Sequence, residues 1–291
     1  MSDLAKTPSA PLRIGVFDSG FGGLTVLRAL LAHIPAAEFF YLGDTARLPY
    51  GSKSRATVAR YAVESAQLLE SYGAQYVVIA CNTASALALD AIRAAARVPV
   101  LGVIETGADS AAASSVTRDV LVLATAATVD SHAYRLACAE RGLRALEKAC
   151  PLLVPLIEEG WTGQEADTDA DVAETRARIT GSVLRVYLDE ALAEARARGY
   201  RPDTVLLGCT HYPLLRKMLK QTLPPGFEIL DSAETTARRV QRQLSADFSP
   251  AAAGAQPCHF FATDSVEKFR ALGSRFLGRP IERVQLIDLG G

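Results

Sequence analysis

Short apolar runs rich in Val, Ile and Leu alternate along this chain with longer segments whose apolar positions recur at helical spacing. The runs, at residues 12–17, 39–42, 76–80, 98–103, 120–124, 152–154, 204–207, 228–230, 259–262 and 284–287, are predicted strands. The segments between them, at 24–33, 56–72, 84–95, 133–141, 172–198, 214–221, 235–244 and 266–276, are predicted helices. Near-continuous apolar strands separated by helices predict an α/β fold: mostly parallel sheets flanked by helices on both faces. Two stretches interrupt the alternation. Residues 162–171 are polar and acidic and 245–257 are rich in Ala, Pro and Gly, so both read as surface loops.

Composition narrows the function classes. The 291 residues are enough for two modest domains, and 49% hydrophobic against 22% charged residues supplies an aliphatic core. Lys and Arg (31) nearly cancel Asp and Glu (32), with no basic block, so neither nucleic acid nor an anionic membrane surface is an expected partner. A small molecule is the expected ligand. No run approaches the roughly 20 apolar residues of a spanning helix, and residues 1–11 lack an apolar signal core and read as a flexible N-terminus. The expected location is cytoplasmic. The five cysteines follow no C-x-x-C pattern, so they are expected as free thiols rather than a disulfide or zinc framework. His33, His132, His211 and His259 lie far apart, which supports no metal site. No lysine follows a strand in a Gly and Ser context, which disfavours pyridoxal phosphate.

Ligands of open α/β sheets sit beyond the carboxyl ends of the strands, and those ends carry the candidate chemistry. The first strand runs into Asp18-Ser19-Gly20-Phe21-Gly22-Gly23, and the second is followed by Leu48-Pro49-Tyr50-Gly51. The third gives Cys81-Asn82-Thr83 and a later one Cys209-Thr210-His211. A dinucleotide fingerprint would need a third glycine where Thr25 stands, so the glycine turn is better read as the entry to a helix whose N–H groups hold a carboxylate. Asp18 is suited to an ammonium group or to a thiol proton; its other reading is a cap on the turn.

Val77-Val78-Ile79-Ala80-Cys81 answers Val205-Leu206-Leu207-Gly208-Cys209, which suggests two pseudo-equivalent halves, each offering a thiol. Two acid/base groups flanking one carbon are what racemisation requires, because a proton leaves one face and another arrives on the opposite face. A thiol of pKa about 8.5, lowered by a helix N-terminus or a neighbouring His, can serve in either role. Taken alone, each cysteine reads as a small buried hydrophobe, and Cys138, Cys150 and Cys258 keep that reading. Asn82, Thr83, Thr210 and His211 distinguish the other two. His211 reads either as an ordinary loop histidine or as the group that tunes Cys209.

Four segments in order, 15–26, Leu48-Pro49-Tyr50-Gly51, 80–86 and 208–214, resemble the glutamate racemase family over nearly the whole chain. The resemblance implies cofactor-independent interconversion of L- and D-glutamate for peptidoglycan synthesis. It implies two pseudo-symmetric α/β domains with the active site in the cleft between them. Residues 12–104 with 215–291 would form the first domain and 105–214 the second. It makes Cys81 and Cys209 the acid/base pair, with Asp18 and His211 as auxiliary groups, one beside each thiol. Ser19, Tyr50, Gly51, Asn82, Thr83 and Thr210 become substrate contacts. Glu158 resembles a further acid near the second thiol, with a solvated loop acid as the alternative. A homodimer is compatible with the resemblance.

Two positions depart from the family pattern: Thr106 where proline is common, and Ala124 where glycine is common. Both put local turn geometry in question. Two other readings stand beside the first: an aspartate or hydantoin racemase of the same superfamily, and a regulatory protein that binds a partner such as gyrase without turnover. A protein selected only for binding would have no need of both thiols.

Overall fold

Two wholly parallel sheets carry the molecule, described by a computed structural model over residues 11–163, 169–245 and 257–289. The N-terminus up to residue 10 and the centres of the two expected loops lie outside the described residues. The first part of the chain forms β1 (Arg13–Asp18), α1 (Leu24–His33), β2 (Glu38–Gly43), α2 (Arg55–Ser71), β3 (Tyr76–Ile79), α3 (Asn82–Ala95) and β4 (Val100–Gly102). Next come α4 (Val103–Ser114), β5 (Asp119–Ala124), α5 (Ala126–Ser131), α6 (Ala133–Ala139), β6 (Arg144–Ala149), α7 (Leu153–Glu158), α8 (Ala170–Ala197), β7 (Thr204–Gly208), α9 (Arg216–Thr222) and β8 (Glu228–Asp231). The chain ends with α10 (Ser232–Ser245), β9 (Cys258–Ala262), α11 (Val266–Leu277) and β10 (Gln285–Leu286).

The six-stranded sheet has the order β10-β9-β2-β1-β3-β4 and the four-stranded sheet the order β6-β5-β7-β8. The inner order 2-1-3-4 of the first is repeated as 6-5-7-8 in the second, so the chain reverses direction between β1 and β3 in one sheet and between β5 and β7 in the other. Such a reversal parts the connecting helices and leaves a crevice at the strands' carboxyl ends. Cys81 follows β3 and Cys209 follows β7, which makes them topological equivalents. The pseudo-equivalence expected from the two cysteine segments is thus a property of the sheets themselves.

The central strands are buried because they are covered on both faces. Every residue of β3, β5 and β7 is buried, and β1 is exposed only at Arg13. Each fully buried Val, Leu or Ile side chain there contributes about 1.5–3 kcal/mol. The edges are less regular. β6, Arg-Ala-Leu-Glu-Lys-Ala, buries only part of its length, and its polar and helix-favouring composition gives no strand signal, so the pattern reading passes over it. The apolar residues 152–154, read as a strand, instead open helix α7. A short apolar run does not distinguish a buried strand from the first turn of a buried helix.

β8 hydrogen-bonds to β7, so the second sheet continues past residue 214, where the expected second domain ends. The partner of so short a strand is set by tertiary pairing and leaves no local trace. The halves are then joined by α10, which packs on α1 and on α4. Thr106 lies inside α4 rather than at a turn. Its hydroxyl donates to the Val103 carbonyl at 3.0 Å and meets the Thr236 hydroxyl of α10 at 2.7 Å. Asp109 of α4 pairs with both Arg141 and Arg239, reinforcing the same junction.

Candidate active site

The two crevices face each other across one cavity of about 370 Å³, lined from both sheets. Ser19, Tyr50, Gly51, Cys81, Asn82 and Thr83 come from the first half, and Glu158, Cys209, Thr210 and His211 from the second. Every expected site residue except Asp18 lines it. Asp18 is fully buried behind the lining, where it accepts from the Gly20 N–H at 3.0 Å and from the Thr210 hydroxyl at 3.5 Å. Asp18 thus caps the Gly20 turn and also ties it to the Cys209 segment.

β3 delivers Cys81 at the N-terminus of the 14-residue helix α3, where the extended backbone of Cys81 lets its sulfur cap the helix. Sγ accepts from the Ala84 N–H at 3.4 Å and donates to the Ser19 hydroxyl at 3.5 Å. The Ala84 N–H, and the Ser19 hydroxyl when it turns to donate, would favour a thiolate, but burial dominates. With the Asp18 charge adding to it, burial pushes the Cys81 thiol up to about 12. The helix N-terminus does draw this thiol down through the Ala84 N–H, but a sulfur taken out of water loses more solvation than that contact returns, so the net shift is upward. Burial likewise raises the Asp18 carboxyl above its ordinary value, opposed by the charge of His211 and by the N–H groups of Gly23 and Gly20.

Cys209 has different neighbours. His211 Nδ1 lies 3.9 Å from its sulfur, and His211 Nε2 lies 3.0 Å from Glu158 Oε1. Burial alone would strip the imidazole of its proton. The hydrogen bonds and charges of Cys209 and Glu158 outweigh it and carry His211 up to about 10. At neutral pH a positive charge therefore stands between the sulfur and the carboxylate. Phe276 packs edge-on against the ring at 5.1 Å, helping to close it from solvent.

The halves touch closely here. A Cβ on Gly22 would come within 2.3 Å of Thr210 Oγ1 and 2.6 Å of His211 Nδ1, so the glycine turn after β1 is what lets the Cys209 segment approach. The Thr25 hydroxyl reaches the Thr210 carbonyl at 3.4 Å. The Tyr50 hydroxyl donates to the buried Asp44 carboxylate, so Tyr50 offers the cavity its ring and backbone rather than a free hydroxyl.

Thr125, which caps α5, lines the cavity without having been singled out from sequence. Its hydroxyl lies 3.0 Å from that of Thr83 and 2.9 Å from that of Thr128, linking the two halves. Its position one residue after a buried strand was the available signal. The apolar wall of Pro151, Val154 and Pro155 was hidden by reading 152–154 as a strand. Among the described residues no group of three His, Cys, Asp or Glu is arranged to hold a metal ion, and all five cysteines are unpaired.

Comparison with known proteins matches residues 14–240 to the family described as Asp/Glu/Hydantoin racemase. The glutamate racemase of Koribacter versatilis is 49% identical over 300 residues, covering 96% of this chain and 98% of the relative. That of Chlorobium phaeobacteroides is 40% identical over 287 residues, covering 97% and 98%. Among solved structures, Thermus thermophilus glutamate racemase in complex with β-chloro-D-alanine superposes with a TM-score of 0.79 at 41% identity, covering 98% of this chain and 99% of that one. The Francisella tularensis glutamate racemase in complex with D-glutamate gives 0.82 at 30% identity, covering 96% and 98%.

Proposed function

This chain belongs to the Asp/Glu/hydantoin racemase family and is an amino-acid racemase, and from that premise we propose that it interconverts L- and D-glutamate by a two-thiol proton transfer needing no cofactor. The observation that carries the reading is the presence of Cys81 and Cys209 in the lining of one small cavity, each at the carboxyl end of an equivalent strand of its own sheet. The names of the relatives supply the substrate.

In the resting enzyme Cys81, pushed up to about 12, holds its proton. Cys209, with the His211 cation beside it, acts as the base and takes the α-proton from one face of the amino acid. Cys81 gives its proton to the opposite face. The product leaves Cys209 as thiol and Cys81 as thiolate, and the reverse reaction runs with the roles exchanged. The N–H groups at the start of α3, at Asn82 and Thr83, suit the substrate carboxylate, whose oxygens gain charge as the α-proton departs. Ser19 adds a hydroxyl at Cys81, and the Thr210 hydroxyl lies between Asp18 and His211. Glu158 stabilises the His211 cation, and Asp18 acts from behind the lining through its charge. We read the product as D-glutamate supplied to peptidoglycan synthesis, so depletion of the protein should be relieved by external D-glutamate.

The test is turnover of L-glutamate in deuterated buffer without added cofactor. Loss of optical rotation with gain of one α-deuterium is expected, and Cys81→Ala or Cys209→Ala should each slow racemisation about 10³-fold or more. Racemisation that survives both substitutions would sink the mechanism. Faster turnover of aspartate or a hydantoin across a substrate panel would reassign the substrate.

A further inference from the structure

We propose that Tyr134, deep in the second half, is a positioning residue that fixes the amide orientation of Asn82 and so presents an N–H donor to the substrate carboxylate. The inference rests on the racemase reading above. Asn82, next to Cys81, lines the cavity and is only 3% exposed. Its Oδ1 accepts the Tyr134 hydroxyl at 2.5 Å, while its Nδ2 is buried with no hydrogen-bond partner among the described residues.

An asparagine amide can face a ligand with either end, and the neighbours decide which. A tyrosine hydroxyl both donates and accepts, so contact with Tyr134 alone leaves the choice open. The structure has the hydroxyl on Oδ1, so Tyr134 is the donor and Nδ2 is the end left without a partner among the described residues. The single O–H of Tyr134 is spent on Oδ1, the amide atom able to receive it. The end left for the ligand is Nδ2, a donor suited to an anion. A flipped amide would turn Oδ1 toward the carboxylate, setting two acceptors against each other.

The ring is held as firmly as the hydroxyl. Tyr134 is fully buried, and a Cβ on Gly208 would come within 2.9 Å of its ring. Gly208 immediately precedes Cys209. One side chain thus hydrogen-bonds the residue after the first thiol and packs on the residue before the second.

The experiment is a double-mutant cycle on glutamate racemisation with Tyr134→Phe, Asn82→Ala and the pair, each checked by thermal melting. Tyr134→Phe removes one oxygen from a ring that stays packed, and should raise KM about tenfold while changing kcat less. Asn82→Ala should cost more, and the double variant no more than Asn82→Ala alone, because the hydroxyl acts through the amide. Asn82→Asp, which keeps an acceptor for the Tyr134 hydroxyl but replaces the N–H donor with an oxygen, should raise KM at least as much as Tyr134→Phe and serves if Tyr134→Phe is poorly folded. Effects that simply multiply, or a folded Tyr134→Phe with unchanged KM, would overturn the inference while leaving the racemase reading intact. Wild-type protein that exchanges no α-proton of glutamate would overturn both.

Discussion

Cys81 and Cys209 occupy the same place in two copies of one strand order, yet their electrostatic surroundings are opposite. The first sulfur caps a long helix, meets a hydroxyl, and has a buried carboxylate behind it. The second is followed by a short turn at Tyr212–Leu215 and has a protonated imidazole beside it, braced by Glu158. Backbone topology sets where a side chain stands, while its protonation follows from what the neighbouring loops bring. In the proposed two-thiol transfer one residue begins as acid and the other as base, which needs this asymmetry, since two thiols in identical settings would start with the same protonation.

The substitution that tests the contrast most severely is His211→Asn, which removes the cation from the Cys209 side and leaves a hydrogen-bonding side chain. It should lower kcat about 10²-fold. The Cys81 side is reached only through Asp18, so the rate at which Cys81 is alkylated at pH 8 should change far less than kcat. A parallel change in Cys81 alkylation would show that the two sides form a single electrostatic unit.

Asp18→Asn probes the other side. Removing the buried charge leaves the larger contribution, burial, in place, so the Cys81 thiol should come down only part of the way from about 12. A fall of one unit would speed its alkylation at pH 8 about tenfold. No acceleration would mean that burial alone holds the proton on Cys81 and that Asp18 serves the Gly20 turn.

The same contrast explains how far the sequence could be read. The strand ends carrying Asp18, Cys81 and Cys209 were legible because a buried parallel strand is a near-continuous apolar run and the polar residue that breaks it marks the carboxyl end. β6 was not legible, since a half-exposed edge strand made of Arg, Ala, Leu, Glu and Lys has the composition of a helix. Glu158 was named as a candidate although its helix was misread, because its identity came from a sequence resemblance and not from local periodicity. Thr125 was passed over because a threonine after a strand acquires meaning only when the other half brings Thr83 to it. The raised Cys81 was equally out of reach: donors near a sulfur can be read from sequence, but the completeness of its burial depends on both halves closing over it.

The smallest expected effect concerns Glu158. His211 is raised from an ordinary histidine value to about 10, so the stabilisation that its partners give the protonated ring is fully present below roughly pH 6.5 and is lost as pH rises through about 10. Glu158→Gln keeps a hydrogen bond to Nε2 but removes the charge, which should lower the His211 midpoint in an NMR titration and slow turnover by less than about tenfold. The variant should be less stable than the wild type by at most about 1.5–3 kcal/mol in denaturant unfolding below pH 6.5, the range for a hydrogen bond to a charged group. The difference should shrink as pH approaches 10 and the wild-type ring itself becomes neutral. A stability difference that stays constant from pH 6 to 10 would mean that Glu158 supports α7 by packing rather than by holding the proton on His211, and the contrast between the two thiols would then rest on Asp18 and burial.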